Sequence, residues 1–144
     1  MSPVAPAPNA TDYTQQESLT FAVELLASMP GAAAILNRRR ELLAANADFS
    51  RRFLSGSDQE AVGQSPGVIL QCVNPGPDNG GCGHTSACAS CGLLHALVQA
   101  AGGDVTRARC AIERAGSLPV LDLAVRIRPL DVGGERFLIV SVLD

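Results

Sequence analysis

The stretch Ala33-Ala-Ile-Leu-Asn-Arg-Arg-Arg-Glu-Leu-Leu-Ala-Ala-Asn46-Ala-Asp-Phe49 is built on two short apolar runs, Ala32 to Leu36 and Glu41 to Ala45, joined by Asn37-Arg38-Arg39-Arg40. A polar connection of that length between apolar runs is hairpin chemistry, so two paired strands are predicted. The three Arg read most simply as a solvated turn. Asn46 ends the second run and is a good cap for a helix in which Phe49, Phe53 and Leu54 recur at helical spacing. Gly56 is predicted to close that helix.

Upstream, Gln15 to Met29 carries Leu19, Ala22, Val23, Leu26 and Met29 on one stripe of a helix and Phe21 and Leu25 on a second. Pro30-Gly31 stops it. A helix with two apolar faces needs two partners, and a second copy of the chain is a natural one, so a homodimer through this helix is predicted. Met1 to Ala10 alternates Pro and Ala without an apolar period, the composition of an extended leader.

Downstream, Ser57 to Gly92 is dense in Gly, Pro and Cys, with apolar content only at Val68 to Cys72, and is predicted to be irregular. Cys91 to Ala101, apolar at Leu93, Leu94, Leu97 and Val98 and followed by Gly102-Gly103, reads as a helix. The period then changes to two. Ala108, Cys110 and Ile112 share one face of a strand, with Arg107, Arg109 and Glu113 opposite. Leu121, Leu123, Val125 and Ile127 alternate with Asp122, Arg126 and Arg128 in a second strand, predicted to end at Pro129. Gly133-Gly134 supplies a turn into Phe137 to Leu143, which is apolar on both faces. Such a strand belongs in the middle of a sheet, with the Gln15 to Met29 helix over its outer face.

With 144 residues, 47% hydrophobic and 17% charged, the chain suits one globular domain and is too apolar to be disordered throughout. The net charge of −3 argues against nucleic acid as a ligand. All 11 cationic residues are Arg, so Lys nucleophiles, Schiff bases and phosphate-loop Lys are excluded. No apolar run is long enough to span a bilayer and Met1 to Ala10 is no secretion signal, so a cytoplasmic domain without membrane contact is expected.

Five Cys in such a chain direct attention to metal or redox chemistry rather than a disulfide framework. Cys72, Cys82, Cys88 and Cys91 are spaced C-x9-C-x5-C-x2-C. The Cys88 and Cys91 pair has the spacing at which two thiolates grip one ion, and Cys82 and Cys72 would complete four sulfurs. Gly80, Gly81, Gly83 and Gly92 suit a tightly bent backbone. Two other readings stand beside the metal: a thiol–disulfide switch between Cys88 and Cys91, and reduced structural thiols. Cys110, on the inward face with Ala108 and Ile112, is assigned to core packing. His84 is left outside the ligand set as a solvated loop residue, and His95 on the helix is read as packing or surface rather than a haem ligand. Asp58 and Glu60 face no identifiable partner, so no catalytic residue is assigned and no enzyme activity is expected.

The Ala33 to Phe49 stretch resembles the opening of a PAS sensory domain: a strand, a polar turn, a second strand ending in Asn, and a helix with an aromatic three residues on. Gly63 lies where such domains often place a Gly, and Phe137 to Asp144 resembles their last strand. The resemblance runs from about Met29 to Asp144. It implies an α+β fold, a five-stranded antiparallel sheet with small helices on one face and an N-terminal flanking helix. Residues 1–14 then form the leader, 15–29 the flanking dimerisation helix and 30–144 the PAS domain. It also implies signalling to a histidine kinase or other effector, and a final Asp144 that opens a linker.

Gln71-Cys72, Gly81-Cys82-Gly83 and Cys88-Ala-Ser-Cys91-Gly92 further resemble a cysteine-bearing PAS subgroup of bacterial signalling proteins. That likeness does not name the metal: cysteine-bearing PAS sensors are associated with iron–sulfur clusters, and zinc satisfies the same four thiolates. The function expected is therefore a cytoplasmic sensor holding a metal or iron–sulfur centre through Cys72, Cys82, Cys88 and Cys91. The alternatives are the Cys88/Cys91 switch, or a small-molecule-binding or dimerisation domain with structural thiols.

Overall fold

The computed structural model describes residues 15–54, 58–72, 91–114 and 116–143. In chain order the elements are α1 (Gln15–Ala27), β1 (Ala33–Leu36), β2 (Leu42–Ala45), α2 (Ala47–Phe53), α3 (Asp58–Ala61), α4 (Pro66–Ile69), α5 (Gly92–Ala101), β3 (Thr106–Ile112), β4 (Leu121–Val132) and β5 (Glu135–Val142). The five strands form one sheet in the order β2-β1-β5-β4-β3, and every adjacent pair is antiparallel. The doubly apolar strand β5 does lie in the middle. The turn that feeds it, Gly133-Gly134, has φ of 58° and 80°, the left-handed backbone of a two-residue hairpin.

Each face of the sheet buries its own apolar layer. On the inner face Leu93, Ala96, Leu97 and Ala100 of α5 pack with Ile112, Leu123, Val125, Ile127, Leu138 and Val140, and α2 adds Phe49 and Phe53. On the outer face Leu26, with Ala22 and Met29, covers Ala33, Ile35 and Phe137. The outer cover foreseen for β5 is present, yet the stripe is narrower than its spacing suggests: Val23 is exposed, as are Phe21 and Leu25.

Asn46 is the joint of the N-terminal half. It caps α2 by accepting from the Phe49 N–H at 3.0 Å. The same oxygen accepts from the Ala33 N–H at 3.1 Å, and its amide donates to the carbonyls of Gly31 at 2.8 Å and Leu26 at 3.3 Å. On the edge strand β2, the Leu42 carbonyl and N–H are met by the Gly63 N–H and the Gln64 carbonyl. Gly63 makes that turn at φ 88°, so the edge is covered rather than left open to another chain.

At its C-terminal end α5 is fixed to the sheet by polar contacts. The Arg136 guanidinium of β5 donates to the Ala101 carbonyl at 3.1 Å while paired with Asp131 at 2.7 and 2.9 Å. One turn earlier the buried Thr106 hydroxyl donates to the Ala96 carbonyl at 3.0 Å.

Three expectations are corrected. Pro129 does not end β4, which continues to Val132. The pairing of β4 with β3 stops at Ile127 and Thr106, so Pro129 has a ladder partner only in β5, at Leu138. A Pro is tolerated there because one side of the strand is already an edge. The second correction is the region after Ser57, which contains the one-turn helices α3 and α4; four residues are too few to show a period. Lastly, α2 ends at Phe53 with Leu54 as its C-cap, before Gly56. Gly56, residues 1–14, residues 73–90 and Asp144 lie outside the described residues. Among the described residues no helix is long and apolar enough to cross a membrane.

Candidate functional site

Cys72 and Cys91 bracket the segment 73–90. Cys72 follows α4, where its N–H donates to the Gly67 carbonyl at 2.8 Å and its backbone forms an isolated antiparallel bridge with Arg114, just past the end of β3. The Arg114 Nε–H adds a second tie, donating to the Leu70 carbonyl at 3.0 Å. Cys91 is the N-cap of α5, with extended backbone and a side chain that makes no capping hydrogen bond. Both ends of the segment are thus held beside the last part of β3.

Cys110, on the inner face of β3, lies between them. A Cβ built on Gly92 would stand 3.7 Å from the Cys110 Cβ and 3.6 Å from the Arg109 carbonyl oxygen, so the first turn of α5 rests directly on this strand. Burial pushes the Cys110 thiol above the ordinary cysteine range. The Cys91 thiol adds to that push, the Leu93 backbone N–H opposes it, and the Asp122 carboxylate and Cys72 thiol contribute least. On the solvent face, Arg109 pairs with Asp122 at 3.0 Å, which holds the Asp122 carboxyl below its usual range.

Cys72, Cys91 and Cys110 are all half-buried thiols packed against the rim of the inner core. Of the four residues expected to hold a metal, the structure therefore brings Cys72 and Cys91 to neighbouring elements, while Cys82 and Cys88 lie outside the described residues, as does His84. Among the described residues no group of three or more His, Cys, Asp or Glu is arranged to hold a metal ion. The residue that sequence reasoning passed over is Cys110. Its place on the inward face was readable from the period of two, but its position under the start of α5 depends on how that helix crosses the sheet.

Inside the fold, Leu36, Leu42, Phe49, Phe53, Leu97 and Val125 are among the lining of a wholly apolar cavity of about 40 Å³. Water needs polar partners that such a wall does not offer. His95 is exposed on α5 and does not line this space.

No protein-family model matches the chain, and no curated protein does. Solved structures do. The PAS domain of nitrogen regulation protein NR(II) from Vibrio parahaemolyticus is 20% identical with a TM-score of 0.57, over 85% of this chain and 96% of that one. The PAS domain of an HTR-like protein from Haloarcula marismortui is 12% identical with a TM-score of 0.53, over 90% and 98%. A domain of a sensory box sensor histidine kinase/response regulator from Geobacter sulfurreducens is 14% identical with a TM-score of 0.50, over 89% and 96%. With the strand order, the helices on the inner face and the full span of these matches taken together, the chain has the PAS fold.

Proposed function

We propose that the chain is a sensory PAS module in which Cys72, Cys82, Cys88 and Cys91 hold a thiolate-ligated zinc ion or iron–sulfur cluster, and that the state of this centre reaches a signalling partner such as a histidine kinase. The observation that carries the reading is the anchoring of Cys72 and Cys91 to core elements at the two ends of the cysteine-rich segment. Four soft sulfur donors suit zinc and iron–sulfur chemistry alike. A change at the centre would act on the start of α5, whose inward residues touch the sheet that α1 covers from the other side. The similarly folded domain of a sensor histidine kinase/response regulator supports the choice of partner.

Metal analysis and an absorption spectrum of protein purified without oxygen test the proposal. The expected result is about one zinc per chain, or iron with broad visible absorption, lost in the Cys88→Ser/Cys91→Ser variant. Fresh reduced protein lacking both metals would overturn it. Among the described residues the apolar cavity is about 40 Å³, small for the ligand of the rival reading, a small-molecule sensor.

A second reading concerns assembly. Phe21 and Leu25, one turn apart on α1, are 59% and 53% exposed, an apolar pair that a twin helix would cover. Phe21→Glu/Leu25→Glu is expected to convert a dimer to a monomer in light scattering. A parent chain that is already monomeric, or a variant still dimeric, contradicts this reading.

A further inference from the structure

The outer face of the sheet is divided between two chemistries. On its β1 and β5 side Leu26, with Ala22 and Met29, covers an apolar surface. On its β4 and β3 side the outward positions carry Arg107, Arg109, Arg126 and Arg128 against one acid, Asp122. The register shows how the halves meet. One row across the strands runs through Ala33, Ser141, Arg126 and Arg107, and the next through Ile35, Ile139 and Arg128; Ala33 and Ile35 are the ends that lie beneath Leu26. Arg109 is paired with Asp122 at 3.0 Å, whereas among the described residues Arg107, Arg126 and Arg128 have no ion-pair partner. Arg107 and Arg126 stand directly opposite each other, and like charges so placed repel and weaken a sheet. A guanidinium binds a carboxylate through two parallel N–H bonds, so this half of the face is complementary to a surface that brings carboxylates to it.

Such a surface exists on α1, which holds Glu17 and Glu24 and no basic residue. Glu24 is two positions from both Ala22 and Leu26, about 200° round the helix from each, so it stands on the side away from its own sheet. Glu17, seven residues earlier, falls on the same stripe, and both are exposed. Phe21 and Leu25 occupy the flank between the two sides. Two copies of α1 that meet along that flank lie side by side between two sheets, each with Ala22 and Leu26 on its own sheet and its glutamates toward the other.

We propose that the arginine half of the outer sheet face is the docking surface for α1 of a second copy, in a symmetric pair where Arg107, Arg126 and Arg128 of each chain hold Glu17 and Glu24 of the other. The proposal rests on the helix pairing read from Phe21 and Leu25 and adds the surface that the far side of the helix meets. Glu17 and Glu24 are about 10 Å apart along α1. The Arg positions are separated by roughly 5 Å across the strands and 7 Å along β4, a spread that long, flexible side chains bridge. The contact is self-complementary and therefore closes at two chains. Its apolar flank supplies most of the affinity, while the charges fix the orientation and make the pair sensitive to salt.

Charge exchange is the test, with dissociation constants measured on the full chain by sedimentation equilibrium at low and high salt. Arg107→Glu/Arg126→Glu/Arg128→Glu and, separately, Glu17→Arg/Glu24→Arg are each expected to weaken self-association at low salt by about tenfold or more, because each sets like charges against one another twice in the pair. An equimolar mixture of the two should recover a heterodimer within about threefold of the parent, since every contact is then between opposite charges. Arg107→Gln/Arg126→Gln separates docking from stability. It removes the cross-strand repulsion, so the monomer should melt no lower than the parent while dimerisation weakens by about threefold. If a reversal variant does not fold by circular dichroism, this Gln variant decides alone. A dimer abolished by Phe21→Glu/Leu25→Glu but untouched by the Arg substitutions, or a mixture of folded reversal variants that stays monomeric, overturns the proposal and leaves the helix pairing standing. A parent that is monomeric throughout overturns both.

Discussion

Asn46→Ala is expected to lower the unfolding free energy by about 3 kcal/mol, read by urea denaturation, and the melting temperature by roughly 10 °C. Asn46 is 6% exposed, and its side chain serves two amides and two carbonyls from three places: the end of α1, the entry to β1 and the first turn of α2. Ala leaves the Ala33 and Phe49 N–H groups without that partner in an interior where water does not replace it. Asn46→Asp separates the contributions. It keeps both acceptor contacts but sets a buried carboxylate against the Gly31 and Leu26 carbonyls, which raises its folded pKa above the unfolded value. Stability is then greatest below the ordinary carboxylate range and declines as the pH rises through the raised folded pKa, since only the protonated form donates to a carbonyl. A loss under about 1 kcal/mol in the Ala variant would contradict the joint described for this residue.

The second large effect is expected at Leu97→Ala, about 3 to 4 kcal/mol in the same measurement. Leu97 is 1% exposed, sits between α5 and the inner sheet face and lines a cavity already present. Truncation enlarges a space whose wall is apolar throughout, so it should stay dry and take up xenon. The adjacent Val98, 53% exposed, is the control: Val98→Ala should cost no more than about 0.5 kcal/mol. Equal losses at the two positions would mean that α5 is not packed as described.

Both of these residues were legible in the sequence, because they belong to patterns that local chemistry fixes. Asn46 announced itself as a cap between an apolar run and Phe49, and Leu97 fell on the helical stripe with Leu93. The two-faced character of Phe137 to Leu143 likewise put β5 at the centre. Where the reading failed, the deciding information was not local. Pro129 looked like a terminator because sequence does not reveal that β3 stops pairing at Ile127 and frees that flank. Val23 shared a stripe with Leu26, but among the described side chains of residues 15–29 it is Ala22, Leu26 and Met29 that meet the sheet. Helices of one turn, such as α3 and α4, have no period to detect. In the candidate site, the spacing of Cys72 and Cys91 was visible from the start, whereas the approach of Cys110 to the start of α5 comes from a crossing of helix and strand that spacing does not encode.

The fastening of α5 through Arg136 and Thr106 gives the helix the mechanics of a hinged lever. With its far end held at the Ala101 carbonyl, a push applied at Cys91 turns the helix instead of sliding it along the sheet. Ten residues span about 15 Å, so a shift of about 1 Å at the free end is a tilt of roughly 4°. Leu93 would travel furthest and Ala100 hardly at all, and the strands under the first turn, rather than the whole sheet, would be the first to register the movement.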